Sequence, residues 1–223
     1  MSAHPRLRVA ALVSGRGSNL QALIDARNAG ALPVEFVLVA SDKSHAPALR
    51  RAEEAGIATL ALDPKSYANR AAYDADLFSR VAAAKPDLIV LAGFMRILDA
   101  AAIAPWRGRM LNIHPSLLPK YPGLRTHARA LDAGDREHGA SVHFVTDELD
   151  GGPVIAQVRT ETRGDDTPES LAARLLPREH ELLVATLAWV AERRIALTAE
   201  GIVFDGALLA APLDLDDRRQ RVR

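Results

Sequence analysis

The chain switches repeatedly between two hydrophobic patterns. Short unbroken apolar runs mark strands covered on both faces. They alternate with longer stretches whose apolar positions recur every three to four residues, as in helices. Residues 7–14 form the first run, which ends in the turn Gly15-Arg16-Gly17. Residues 18–28 follow, with Leu20, Leu23 and Ile24 at helical spacing. The alternation predicts further strands at 34–40, 58–62, 87–92 and 110–113, and helices at 47–55, 70–85 and 99–105. Gly56 closes one of these helices and Pro86 stops another. Strands separated by helices pair in parallel through right-handed crossovers. The expected fold is therefore α/β, a doubly wound, mostly parallel open sheet of Rossmann-like type.

The alternation breaks at 114–126, where Pro115, Pro119, Pro122 and Gly123 forbid regular structure. A proline-rich loop at the carboxyl end of a buried strand lies where open α/β sheets bind ligands. Beyond it the pattern predicts a short helix at 127–133 and two strands at 140–146 and 154–162, joined by the acidic loop 147–153. A long helix starts with Thr167 as N-cap and Pro168 at its first position and runs to about 194, with a kink expected at Pro177. Two short strands at 195–198 and 202–204 complete an antiparallel C-terminal extension, and the charged tail 214–223 is expected to fray. Repeats and linkers are absent, which predicts a single domain over 1–223.

Charge then narrows the classes. The 223 residues hold 28 Lys+Arg against 28 Asp+Glu, so the net charge lends no support to nucleic-acid binding, which draws on a basic excess. A hydrophobic content of 48% with 25% charged residues is that of a folded chain, not a disordered one. The absence of cysteine removes disulfides, thiolate metal sites and cysteine nucleophiles. No run reaches the roughly 18 apolar residues of a membrane span, and the first eight residues hold no secretory apolar segment. These readings fit a cytoplasmic protein with no membrane and no nucleic-acid partner, and the resemblance described below implies small-molecule substrates. No long apolar patch demands self-association, so a monomer or weak homodimer is expected.

Three features carry candidate chemistry. Ser14-Gly-Arg-Gly-Ser-Asn19 joins a strand to a helix, where glycines bring backbone N–H groups close to an anion and the helix start adds free donors. Leu20 stands where a dinucleotide fingerprint needs a third glycine, and no Gly-Lys-Ser/Thr follows. The turn therefore suits a phosphate monoester, or is an ordinary tight turn. Asn112 and His114 sit two apart at the end of a strand and so point to one side, a carboxamide and an imidazole together. Such a pair can stabilise an oxyanion and move a proton. Asp150, in a glycine-flanked loop, would orient His114 and favour its protonated form, or would make an Asx turn. No metal spacing exists: His127, His138, His143 and His180 read as ordinary, and Glu179-His180 as a solvated helix face.

Asn112-Ile-His-Pro-Ser-Leu-Leu-Pro119, followed by Lys-Tyr-Pro-Gly123, resembles the signature of the folate-dependent formyltransferases. The motifs at 14–21, 91–98 and 137–153 are similar to the branch of that family acting on phosphoribosylglycinamide. The resemblance spans the first strand to the long helix. It implies formyl transfer from 10-formyltetrahydrofolate, as cosubstrate and without a metal, to the glycine amine of 5-phosphoribosylglycinamide in purine biosynthesis. It further implies that Gly17, Ser18 and Asn19 hold the substrate phosphate and that Glu179 contacts the sugar or amine region. Arg70, Met95, Arg96, Ile97, Leu98, Asn112, Val145, Thr146 and Asp150 would border the folate. Asn112, His114 and Asp150 would form the catalytic trio, with His114 as proton donor and Asp150 raising its pKa. The N-terminal half, about 7–105, would bind phosphate, and the half at about 106–205 would hold folate and the chemistry. Departures from the family pattern are Leu176 and Pro177 in place of a Gln-containing turn, Arg125 for a common His, and Asp42 for a common Asn. Formyltetrahydrofolate hydrolase and a non-enzymatic nucleotide-binding module remain alternatives.

Overall fold

A computed structural model describes residues 5–216. They fall into two compact units that divide between Asn112 and Ile113. The first begins with β1 (Leu7–Val13), α1 (Ser18–Asn28), β2 (Val34–Ser41), α2 (Pro47–Glu54) and β3 (Thr59–Ala61). A 3-10 turn at Pro64–Ser66 leads to α3 (Arg70–Ala83) and β4 (Leu88–Leu91). Then come α4 (Ala100–Ile103) with a 3-10 turn at Ala104–Trp106, and β5 (Met110–His114), which crosses the boundary so that Ile113 and His114 belong to the second unit. The strands order β5-β4-β1-β2-β3, every pair parallel. Val9 to Val13 of β1 are fully buried at the centre of this sheet, as an unbroken apolar run requires. The helices bury the stripes their spacing predicts: Leu20, Leu23 and Ile24 on α1, and Tyr73, Leu77 and Val81 on α3.

The second unit contains α5 (Thr126–Asp132), β6 (Glu137–Phe144), β7 (Val154–Glu161) and α6 (Pro168–Ala191). It closes with β8 (Ile195–Leu197), β9 (Ile202–Phe204), β10 (Ala207–Leu208) and β11 (Leu213–Asp214). β6 and β7 pair antiparallel and β11 lies parallel on β7. β8, β9 and β10 make a small antiparallel sheet. The fold is thus a mostly parallel open α/β sheet with helices and a small antiparallel C-terminal sheet.

Some boundaries differ from the sequence pattern for physical reasons. β6 begins at Glu137 because Glu137, His138 and Gly139 pair with β7, and it ends at Phe144, leaving Val145 and Thr146 in the loop. α6 starts in a reciprocal capping box between Thr167 and Ser170 and remains helical through Pro177. It ends at Ala191, three residues short of the expected end. The first residue of the expected tail, Asp214, belongs to β11, and the Leu215 N–H donates to the Gln157 carbonyl at 3.0 Å. Residues 217–223 of that tail lie outside the described residues.

Candidate active site

In the first unit the glycine turn is built by packing as well as by φ. Gly17 is left-handed at φ 74° and caps α1. A Cβ there would sit 2.5 Å from Ala48 Cβ, so only glycine lets the turn rest on the start of α2. The Ala48 N–H donates to the Gly15 carbonyl at 3.2 Å, and Arg51 Nε to the Arg16 carbonyl at 2.9 Å. No side chain caps α1 and no acidic residue sits in its first turn. The first N–H groups and the positive end of the helix dipole are therefore left for an external anion. The Asn19 Oδ1 atom beside them is buried without a hydrogen-bond partner.

The segment after β4 is tied to the same turn. The Ser14 N–H donates to the Gly93 carbonyl at 3.1 Å, and Ser14 Oγ accepts from Met95 N at 2.9 Å. Met95 and Ile97 remain 66% and 57% exposed, unusual for side chains of that size and suited to contact with a flat apolar ligand. Arg96 stacks over the Tyr73 ring with 4.8 Å to the centroid. Asp74, fully buried, accepts from Asp99 N at 2.7 Å. Burial pushes the Asp74 carboxyl up, against the Asp99 N–H and the charges of Arg96 and Arg70, which pull it down. Arg70 itself is exposed at the first position of α3.

The second unit carries the acid–base groups. His114, at the end of β5, is buried, and its Nδ1 lies 3.4 Å from Asp150 Oδ2. Its Nε2 donates to the Tyr121 carbonyl at 2.9 Å. The same Asp150 oxygen accepts from the Gly123 N–H at 2.8 Å. The other, Oδ1, faces His143 Nε2 at 3.6 Å. Asp150 adopts φ 53°, a left-handed conformation that aspartate tolerates better than most residues. The loop can pass this closely because a Cβ on Gly152 would overlap the Phe144 carbonyl oxygen.

The proline-rich loop is fixed by polar side chains of β6 and β7. Ser141 Oγ donates to the Ser116 carbonyl at 2.6 Å and accepts from Leu118 N at 3.0 Å. Gln157 Nε2 donates to the Leu118 carbonyl at 2.9 Å. Tyr121, Gly123 and Arg125 all have positive φ, which turns the Tyr121 carbonyl and the Gly123 N–H toward His114 and Asp150. A groove of about 420 Å³ runs along Leu117 to Lys120 and takes in neither His114 nor Asp150.

Asp150 raises the His114 pKa, as expected, but it is not the dominant effect. Burial drives the His114 pKa down, and this outweighs the Tyr121 carbonyl and Asp150, which raise it; His143 and Arg129 lower it further. The net direction is below the ordinary histidine value, so Asp150 opposes a larger desolvation effect. Burial raises the Asp150 carboxyl, but His143, the Gly123 N–H and the His114 charge overcome this and hold it below the usual range.

The two units hold the predicted residues as follows. Gly17, Ser18 and Asn19 share one turn, and Met95, Arg96, Ile97 and Leu98 one segment tied to it. Asn112 lies two residues before His114 on β5, whose alternation turns both side chains to one side. Val145 and Thr146 are half-buried in the loop that leads to Asp150. Glu179 is 8% exposed on α6, not on a solvated face, and His180 Nε2 is buried too. His143, read as ordinary, stands against Asp150, and its signal is a register shift between β6 and β7 that spacing along the chain cannot reveal. His127 and His138 form a separate pair, Nδ1 to Nε2, at 3.0 Å. Among the described residues, no group of three or more His, Asp or Glu is placed to hold a metal ion, and no helix is long and apolar enough to cross a membrane.

Residues 7–187 fit the family described as Formyl transferase, and the chain belongs to it. Within that family it is 46% identical over 203 residues to phosphoribosylglycinamide formyltransferase of Escherichia coli (strain K12), covering 91% of this chain and 96% of that protein. It is equally, 46%, identical over 203 residues to a segment of the trifunctional purine biosynthetic protein adenosine-3 of Drosophila melanogaster, covering 90% of this chain and 14% of that protein. The solved structure of phosphoribosylglycinamide formyltransferase (purN) from Coxiella burnetii, in complex with CHES, superimposes with a TM-score of 0.89 at 43% identity, over 94% of this chain and 99% of that one.

Proposed function

We propose that this chain transfers the formyl group of 10-formyltetrahydrofolate to the amine of 5-phosphoribosylglycinamide, giving the formylated amide and tetrahydrofolate, the third step of de novo purine biosynthesis. The observation that carries the proposal is the buried His114–Asp150 pair, in a chain 46% identical over 203 residues to an enzyme of that name. A cytoplasmic setting follows from the same reading.

The amine lone pair attacks the formyl carbon, and the carbonyl π pair moves onto oxygen. Collapse of the tetrahedral intermediate breaks the bond from carbon to the folate nitrogen. That nitrogen gains a proton and the amine loses one, so protons balance. Asn112 supplies a carboxamide N–H to the developing oxyanion. His114 turns Nδ1 to Asp150, which leaves the Nε2–H as its donor toward substrate once the Tyr121 carbonyl yields it. No cysteine or activated serine is required, because the substrate amine is the nucleophile.

Binding roles divide by residue. The uncapped start of α1, with Gly17, Ser18 and Asn19, suits the phosphate. The exposed apolar side chains of Met95 and Ile97, with Arg96 and Leu98 between and beyond them, suit the pterin. Exposed Arg70 suits the carboxylates of the folate tail. Val145, Thr146 and Asp150 border the folate from their loop, and buried Glu179 serves the sugar or amine region. The experiment is an assay of formylated product from both substrates; loss of the formyl donor without the amine would favour hydrolysis instead.

A further inference from the structure

We propose that His143 is a positioning residue of this site: its ring is locked on the Phe144 carbonyl so that Nε2 meets Asp150 Oδ1, and this second imidazole holds the carboxylate with Oδ2 on His114 and Gly123. The inference rests on the proposed working role of the His114–Asp150 pair. Three observations carry it.

The first is the lock. His143 Nδ1 lies 2.9 Å from the Phe144 carbonyl oxygen, which can only accept, so Nδ1 carries a proton. Nε2 then presents either a lone pair to Asp150 or, in the doubly protonated ring, an N–H. His114 repeats the arrangement with the nitrogens exchanged: Nε2 donates to the Tyr121 carbonyl and Nδ1 faces the carboxylate. Asp150 is thus flanked by two rings whose other nitrogen is committed to a carbonyl, so each ring holds the carboxylate through the facing nitrogen when that nitrogen is protonated as well.

The second is the strand geometry. The β6–β7 register shifts between Val142 and His143, so that Val142 faces Ala156 while His143 faces Val154. Such irregularities re-aim a side chain beside functional sites. The third is burial. The His143 and Asp150 side chains are 3% and 9% exposed, so the contact is shielded from bulk solvent. The groups that act on His114 with them are Arg129 and Tyr121, and the His127–His138 pair lies within electrostatic reach.

The test pairs two variants of the full chain. His143→Asn keeps a nitrogen near the Nδ1 position and loses Nε2; His143→Gln extends its amide to the Nε2 position. The Asn variant should lose about ten- to a hundredfold in kcat, the range for groups that orient a metal ligand, with both KM values little changed. The Gln variant should recover part of that loss. His114, followed by ¹⁵N NMR, should titrate higher in the Asn variant, because the His143 ring that lowers it is gone. Wild-type kcat, or an unmoved His114 titration, overturns the proposal. If the Asn variant does not fold, an unmoved His114 titration in the Gln variant overturns it instead. An inactive wild type would sink the proposed reaction alone, since the titration needs no substrate.

Discussion

His114 and Asp150 meet through Nδ1 and Oδ2 at 3.4 Å although 36 positions separate them in the chain. The contact is made by a strand end and a left-handed loop residue that also accepts the Gly123 N–H. Asp150 pulls the His114 pKa up while burial pulls it down, and burial wins. Replacing Asp150 by Asn removes one of the two effects that oppose burial. His114 should then titrate lower in the variant than in the wild type, and kcat should fall. Paired NMR titrations check the sign; an unchanged or higher His114 value would mean that the carboxylate does not act on the ring.

Asn112 precedes His114 by two residues on β5 and presents its carboxamide on the same side. Asn112→Asp exchanges a donor for an acceptor with the charge of the oxyanion. Loss of one such donor lowers kcat by about 10²–10³, and Asp should be at least as harmful. Steady-state kinetics with a circular-dichroism check of the fold measures this. A folded variant with near-normal kcat removes the oxyanion role.

Gly17 has two reasons to be glycine, its φ of 74° and the 2.5 Å that would separate a Cβ there from the Ala48 Cβ. Gly17→Ala should lower the melting temperature and raise KM for the phosphorylated amine. Adding Ala48→Gly should return only a small part of the stability, because it removes the contact with the Ala48 Cβ but leaves the Ala48 Cα 2.8 Å from the new Cβ and the backbone penalty at residue 17. Folate KM should change little in both. Equal effects on the two substrates would mean that the turn serves packing alone.

Local features were readable from the chain because they depend on neighbours in sequence. The glycine turn before α1, the Thr167 start of α6 and the Asn-x-His strand end are of this kind. The Asp150–His114 contact came from the family resemblance, since a loop's reach is not a local property. His143 escaped because its role comes from a register shift in a strand pair. The burial of Glu179 escaped because its neighbour His180 is polar as well, which hides the apolar stripe of α6. β11 escaped because two residues leave no period to detect.

Buried His138, paired with half-buried His127, gives a pH prediction apart from catalysis. Burial, then the charge of His127, pushes His138 from 6.5 down to about 4. The folded state therefore binds fewer protons than the unfolded state between those values. The stabilisation is fully present above pH 6.5 and is lost as pH falls toward 4. Thermal midpoints should decline through that window in the wild type and decline less in His138→Gln. Parallel curves for the two proteins would place the acid sensitivity elsewhere.

Under the proposed function a bound amine, and not water, receives the formyl group. The most direct measurement follows tetrahydrofolate release and formylated product together, with and without 5-phosphoribosylglycinamide. One formylated amide should form for each tetrahydrofolate, with negligible release without the amine. Release at the same rate in its absence, with no formylated product, would contradict that function.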